Sequence, residues 1–426
     1  MPPIEDHPLR YQLANELHAR PFPSLEVPST AVFLAIKAVE NAVSRDRSGD
    51  LAHLLELLDR HGAAHPRPGA THYSGEIGRH YLKWEQHAEF VTYTVFTNGL
   101  SVRPFDPAEF EVFPEDWLAR APGGRITSAL IRVEKRPEPE VLRESLKSWF
   151  VPESLAVSEV LDGDVVVATD FRINPAGHMR MAALVSPGTG ARRVGRVVQR
   201  LCEIETYKAM SMLGYERVRQ MGGQIAEIEG RLSRMMSEIA GGDTPAEEVL
   251  DELLQTSAEA ENMLAKNAFR FGATEAYEAI VNQRIEVLRE VRFEGRQTFG
   301  EFMMRRYDPA MRTVASTKGR LEALAERAMR AGELLRTKVD VARSAQNQAL
   351  LESMDRRADL QLRLQETVEG LSVVAISYYA VSLAAYLLYP LAGMLGISKG
   401  LLTAGVTLPV VFAVWLMVRR IRSHVH

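Results

Sequence analysis

A chain of 426 residues, 46% of them hydrophobic and 25% charged, is long enough for two or three domains and a sizeable core. Its 55 acidic against 51 basic side chains lack the basic excess of a dedicated nucleic-acid binder, so no nucleic-acid partner is expected. A single cysteine, Cys202, excludes an internal disulfide and a cysteine-built zinc centre, and it fits a reducing cytoplasm.

The first residues, MPPIEDHPLR, are acidic and carry no apolar run, so no secretory signal is expected there. Residues 1–190 read as a cytoplasmic α/β domain with a mixed sheet. AVFLAIK (31–37), 80–84 and FVTYTVF (90–96) are strand candidates, rich in aromatic and β-branched residues. GDLAHLLELLDRH (49–61) has its apolar residues at helical spacing. Residues 127–133 form a further strand and 139–150 a helix. Strands at 155–160 and 165–171 flank Asp162-Gly163-Asp164, a hairpin turn, and 177–185 completes the sheet. SPGTGARRVGR (186–196) does not match the spacing of a phosphate-binding loop and reads as a linker before a helix.

Residues 191–368 form a helical stalk. A first helix runs to about Ala240 and stops at Gly241-Gly242. TPAEE opens the next, with Thr244 as cap, Pro245 in the first turn and Glu247 three residues after the cap. That helix reaches about Arg306, with a break expected near Gly272-Ala273-Thr274. Asp308-Pro309 restarts it, and nothing forbids helix from there to Pro390. Leu321, Leu324, Ala328, Ala331, Leu335, Ala342, Ala345 and Ala349 alternate three- and four-residue steps, the pattern of a coiled-coil seam. Three antiparallel helices would use it internally; a homo-oligomer would use it between chains.

Neither 371–388 nor 401–418 holds a charged residue. Each is about 27 Å long as helix, close to the roughly 30 Å bilayer core. The segments read as transmembrane helix 1 (369–389), a short external loop (390–400), transmembrane helix 2 (401–418) and a basic cytoplasmic tail (419–426). Arg356, Arg357 and Arg363 precede the first span and Arg419, Arg420 and Arg422 follow the second, whereas the loop carries only Lys399. The excess of arginine at both flanks predicts both termini in the cytoplasm and a lipid bilayer as partner.

Two polar clusters could carry chemistry. NELHARPFP holds Glu16, His18 and Arg20; KWEQHAEF holds Trp84, Glu85, His87 and Glu89. In an extended strand Glu85, His87 and Glu89 share one face, and with His18 they make a candidate divalent-cation site. The plainer alternative is a solvent-facing strand with a charge-satisfied histidine. No nucleophile elbow, zinc-protease motif or dinucleotide fingerprint occurs, so no catalytic residue or cofactor is assigned and no enzyme is expected. Cys202, in a helical stretch, reads as a packing residue. RRYDPAMR (305–312) reads as a charged helix junction.

With HPLR, NELHARPF, KWEQHAEF, IETYKAM and SMDRRADLQLRLQETVEGLSVVAISYY, the chain resembles an uncharacterised family of bacterial membrane proteins known only as a domain of unknown function. The resemblance covers nearly the whole chain, implies the bacterial inner membrane, and brings no activity or cofactor. In layout alone the chain is also similar to CorA-type magnesium channels, which are pentamers with a Gly-Met-Asn motif after the first membrane helix. Here Gly393-Met394-Leu395 stands at that place and lacks the asparagine amide; Gly393, Met394 and Gly396 would line the turn of such a pore. The reading is a membrane-anchored cytoplasmic scaffold or sensor, with an oligomeric divalent-cation channel as alternative.

Overall fold

The computed structural model describes residues 4–16, 22–39, 46–241, 245–394 and 398–425. The chain divides into two compact units, 1–332 and 333–426. A short helix α1 (Arg10–Glu16) precedes strand β1 (Ser29–Lys37) and helix α2 (Ser48–Arg60). Strands β2 (His72–Ile77), β3 (His80–Gln86) and β4 (Phe90–Asn98) form a meander. A 3₁₀ turn at Pro107–Val112, helix α3 (Glu115–Leu118), strand β5 (Gly124–Lys135) and helix α4 (Pro139–Trp149) follow. The hairpin of β6 (Ala156–Val160) and β7 (Val165–Ile173) leads into β8 (Met179–Val185). A ninth strand, β9 (Val291–Arg292), completes a mixed sheet in the order β2-β3-β4-β1-β5-β8-β7-β6-β9, in which only β5 and β8 pair in parallel.

Period-two alternation sends the two sides of each strand to different layers. Val32, Leu34, Ile36, Val91, Tyr93 and Val95 pack with Leu54, Leu57 and Leu58 of α2, Trp117 of α3, and Leu142 and Leu146 of α4. The opposite face lies under helix α5 (Ala191–Gly241), which touches β1, β5 and β8. With both faces covered, β1 reads as an apolar run and not as an alternating one.

Two histidines are locked into this core as neutral rings. His53 Nδ1 lies 2.9 Å from the Tyr93 hydroxyl and Nε2 lies 3.1 Å from the Trp117 carbonyl, and burial holds its pKa below the usual 6.5. His178 is pulled down to about 4 by burial and then by Arg125. The unfolded chain protonates near 6.5 and the folded one only below that, so their stabilisation is complete above pH 6.5 and is lost as pH falls toward 4. Each histidine sets a limiting slope of about 1.4 kcal/mol per pH unit. The unfolding temperature should drop between pH 7 and pH 5, with a shallower drop in His178→Gln; a flat profile would contradict the assignment.

The long helices follow. Helix α6 (Ala246–Leu288) runs back along α5. The break expected at Gly272-Ala273-Thr274 does not occur. Thr274 is instead a packing point: a Cβ on Gly214 would come within 2.2 Å of its Oγ1, so glycine is required where α5 and α6 meet. The helix stops at Leu288, where Arg289 takes a left-handed conformation (φ 50°). The chain then adds β9 to the sheet edge and restarts as α7 (Phe299–Arg306), opened by a capping box of Thr298 and Glu301. The cap expected at Thr244 falls outside the described residues.

Helix α8 spans Asp308–Met394, 87 residues, and α9 spans Lys399–Val425. Ion pairs Arg320–Glu229 and Lys318–Glu275 tie the first turns of α8 to α5 and α6. The seam is buried at Leu321, Leu324, Ala328, Ala331 and Leu335, and exposed at Ala342, Ala345 and Ala349. The helix does not stop at Pro390 but continues one turn further, past the start expected for the loop. Both α8 and α9 contain a stretch long and apolar enough to cross a membrane, with 6% of each stretch buried. Leu371, Tyr378, Tyr379, Leu383, Tyr386 and Leu387 are all exposed, as side chains facing lipid would be.

Candidate functional site: a polar cavity between the sheet and helix α5

A sheet face packed under a helix normally presents apolar side chains. Under α5, the part formed by β3, β4 and β1 does not. Strand β4 offers Phe90, Thr92, Thr94 and Phe96 to this face, two threonines between two phenylalanines. The register sets Lys83 and Phe33 beside Thr94, and Glu85 and Ala35 beside Thr92. A basic row and an acidic row therefore lie side by side. From above, α5 lowers Gln199, Cys202, Glu203, Thr206 and Tyr207, and α6 adds Arg284, around a cavity of about 270 Å³. Phe22 and Pro23 close it. They reach it because Gly195 lets the chain cross α5 closely, where a Cβ would meet the Pro23 carbonyl oxygen at 1.8 Å.

The polar groups form a chain. Lys83 Nζ donates to Gln199 Oε1 at 2.8 Å and lies 3.3 Å from Glu85 Oε1. Gln199 Nε2 donates to Glu203 Oε1 at 2.8 Å, and Arg284 donates to the other oxygen of Glu203. Lys83 donates one hydrogen bond, to Gln199, and its 3.3 Å ion pair is the one contact of the Glu85 carboxylate among the described residues. Thr92 and Thr94 are 6% and 8% exposed, and neither hydroxyl has a partner among the described residues. Burial pushes the Cys202 thiol well above its usual pKa, which makes it a poor nucleophile.

The predicted metal cluster is only partly brought together. Glu85 and His87 both line the cavity, His87 stacking on Phe90 with ring centroids 4.2 Å apart. Strand β3 ends at Gln86, so residues 85–89 do not share one strand face as expected. Glu89 is taken up elsewhere: fully buried, it pairs with Arg270 and accepts a 2.9 Å hydrogen bond from the Tyr277 hydroxyl. His18 lies outside the described residues. Among the described residues no three His, Cys, Asp or Glu side chains are placed to hold a metal ion. Gly393 and Met394 belong to the last turn of α8, and Gly396 lies outside the described residues. Arg419, Arg420 and Arg422 sit in the last turns of α9, with the Arg419 guanidinium 5.0 Å from the Trp415 ring centroid.

Sequence reasoning missed Lys83, Thr92, Thr94, Gln199, Glu203 and Arg284. One signal for them was present: in a strand covered on both faces, every inward side chain should be apolar, and FVTYTVF places two threonines on one face. The family described as "Protein of unknown function (DUF3422)" matches residues 5–425. No curated protein matches the chain. The chain belongs to this family of unknown function, and the match lends no support to the likeness in layout to CorA-type channels.

Proposed function

We propose that the protein is a scaffold or sensor of the bacterial inner membrane, anchored by α8 and α9, with both termini in the cytoplasm. The observation that carries this reading is the continuity of α8. One helix begins among ion pairs to α5 and α6 and passes without interruption into an apolar stretch whose side chains are exposed. Exposed Leu, Val and Tyr side chains on such a scale cost little only where lipid replaces water. The arginines at 356, 357 and 363 and at 419, 420 and 422 support the orientation. We further propose that chains associate through the exposed part of the seam at Ala342, Ala345 and Ala349. It continues the stripe that is buried from Leu321 to Leu335, and its small side chains permit close helix approach.

Topology is the test. With Cys202 changed to Ser, a cysteine introduced as Ser398→Cys should react with a membrane-impermeant thiol reagent in intact spheroplasts. One added after Arg420 should react only once the membrane is broken. The opposite pattern would overturn the orientation, and release of the protein by high salt would overturn the anchor.

A further inference from the structure

We propose that the cavity under α5 binds a small zwitterion of the α-amino-acid class, its carboxylate held by Lys83 and Thr94 and its ammonium by Glu85 and Thr92. The inference rests on the sensor arm of the reading above and supplies its ligand.

The argument starts from what the walls still need. Four ionic side chains meet at the cavity, two of each sign, so its wall is net neutral. Arg284 and Glu203 satisfy each other. Lys83 and Glu85 do so incompletely, since 3.3 Å is long for an ammonium–carboxylate contact, whose ordinary length is about 2.7–2.9 Å. A lone anion would answer Lys83 and oppose Glu85, and a lone cation the reverse. A molecule carrying both charges about 3 Å apart matches the pair head to tail and closes a ring of alternating charge.

The hydroxyls fit the same ligand. A threonine hydroxyl both donates and accepts. Thr94, beside Lys83, would donate to the carboxylate, and Thr92, beside Glu85, would accept from the ammonium. Both hydroxyls line the cavity and have no partner among the described residues, so each is free to serve what fills it. Their place between Phe90 and Phe96 gives polar fixing points inside an aromatic frame, the usual composition of a small-molecule site. The cavity, at about 270 Å³, lies just under the range for drug-sized ligands and suits an amino acid better than a nucleotide.

Thermal unfolding of the detergent-extracted full-length protein, with each common L-amino acid at about 10 mM, tests this. Potassium acetate and methylammonium chloride serve as probes carrying one charge each. At least one amino acid should raise the midpoint by about 2 °C or more when present at roughly ten times its Kd. Neither single-charge probe should do so. The shift should vanish in Glu85→Gln and in Thr92→Val, an isosteric change that leaves no protein partner unpaired. No shift with any amino acid, an equal shift with acetate or methylammonium, or a shift that survives both variants would each overturn the proposal. Labelling at Ser398→Cys reads the membrane anchor separately, so a failed ligand leaves the anchored reading standing.

Discussion

Arg270→Met should destabilise the sheet-bearing unit by about 3–5 kcal/mol, the usual cost of leaving one member of a buried ion pair uncompensated. Glu89 is 0% exposed and belongs to the turn between β3 and β4; Arg270 reaches it from α6. With the guanidinium gone, the carboxylate keeps one described neutral donor, the Tyr277 hydroxyl, whose own pKa burial and the Glu89 charge both push up. One phenol does not solvate a buried carboxylate. Replacing both partners removes the stranded charge, so Glu89→Leu combined with Arg270→Met should regain a large part of the loss, whereas Tyr277→Phe alone should cost about 1 kcal/mol. Urea unfolding followed by tryptophan fluorescence measures all of these variants. A loss below 1 kcal/mol in Arg270→Met would show that water reaches Glu89. The pair also fixes the turn that carries His87 and Phe90 to the cavity, and Tyr277 stacks on Tyr207 at 5.5 Å. The single variant should therefore loosen one cavity wall as well.

The role of Glu89 illustrates which parts of this molecule were legible in the sequence. KWEQHAEF stands out by composition, and of its polar residues Lys83, Glu85 and His87 line the cavity whereas Glu89 does not. Local pattern, however, cannot see that the strand ends at Gln86 or that the partner of Glu89 lies on a helix 181 residues away. Strands β1, β4, β6 and β7 and helices α2 and α4 were readable because their apolar side chains follow one period and their ends carry turn or cap residues. HYSGEI, strand β2, was not, because it has a glycine, a glutamate and no sustained alternation; only pairing with β3 makes it a strand. Gly272 looked like a breaker by propensity, yet α6 passes through it, since the fit of Thr274 against Gly214 outweighs the roughly 1 kcal/mol that glycine costs a helix. The cavity escaped for a related reason. Lys83, Gln199, Glu203 and Arg284 come from three elements, and each taken alone is an ordinary polar residue on a strand or helix.

Leu321→Asp should be at least as damaging as the loss of Arg270. Leu321 is 0% exposed in the buried part of the seam, one residue after Arg320, whose pair with Glu229 ties α8 to α5. Substitution removes a large aliphatic contact and strands a carboxylate, two changes that together cost about 4 kcal/mol or more when the helix does not swing away. The neighbouring Glu322, which is exposed, should tolerate alanine within about 0.5 kcal/mol. Equal thermal shifts for Leu321→Asp and Glu322→Ala would mean that α8 packs in another register. The same stripe then separates packing within a chain from association between chains. Ala345 is exposed in the single chain, so Ala345→Asp should leave the unfolding midpoint of an isolated chain unchanged. Under the proposed self-association it introduces one carboxylate per chain into a seam of small residues, where like charges would face each other without room for water. The mass of the detergent-extracted protein should then fall to that of one chain. An unchanged mass in Ala345→Asp would remove the seam from the interface and leave its second half as a solvated helix face.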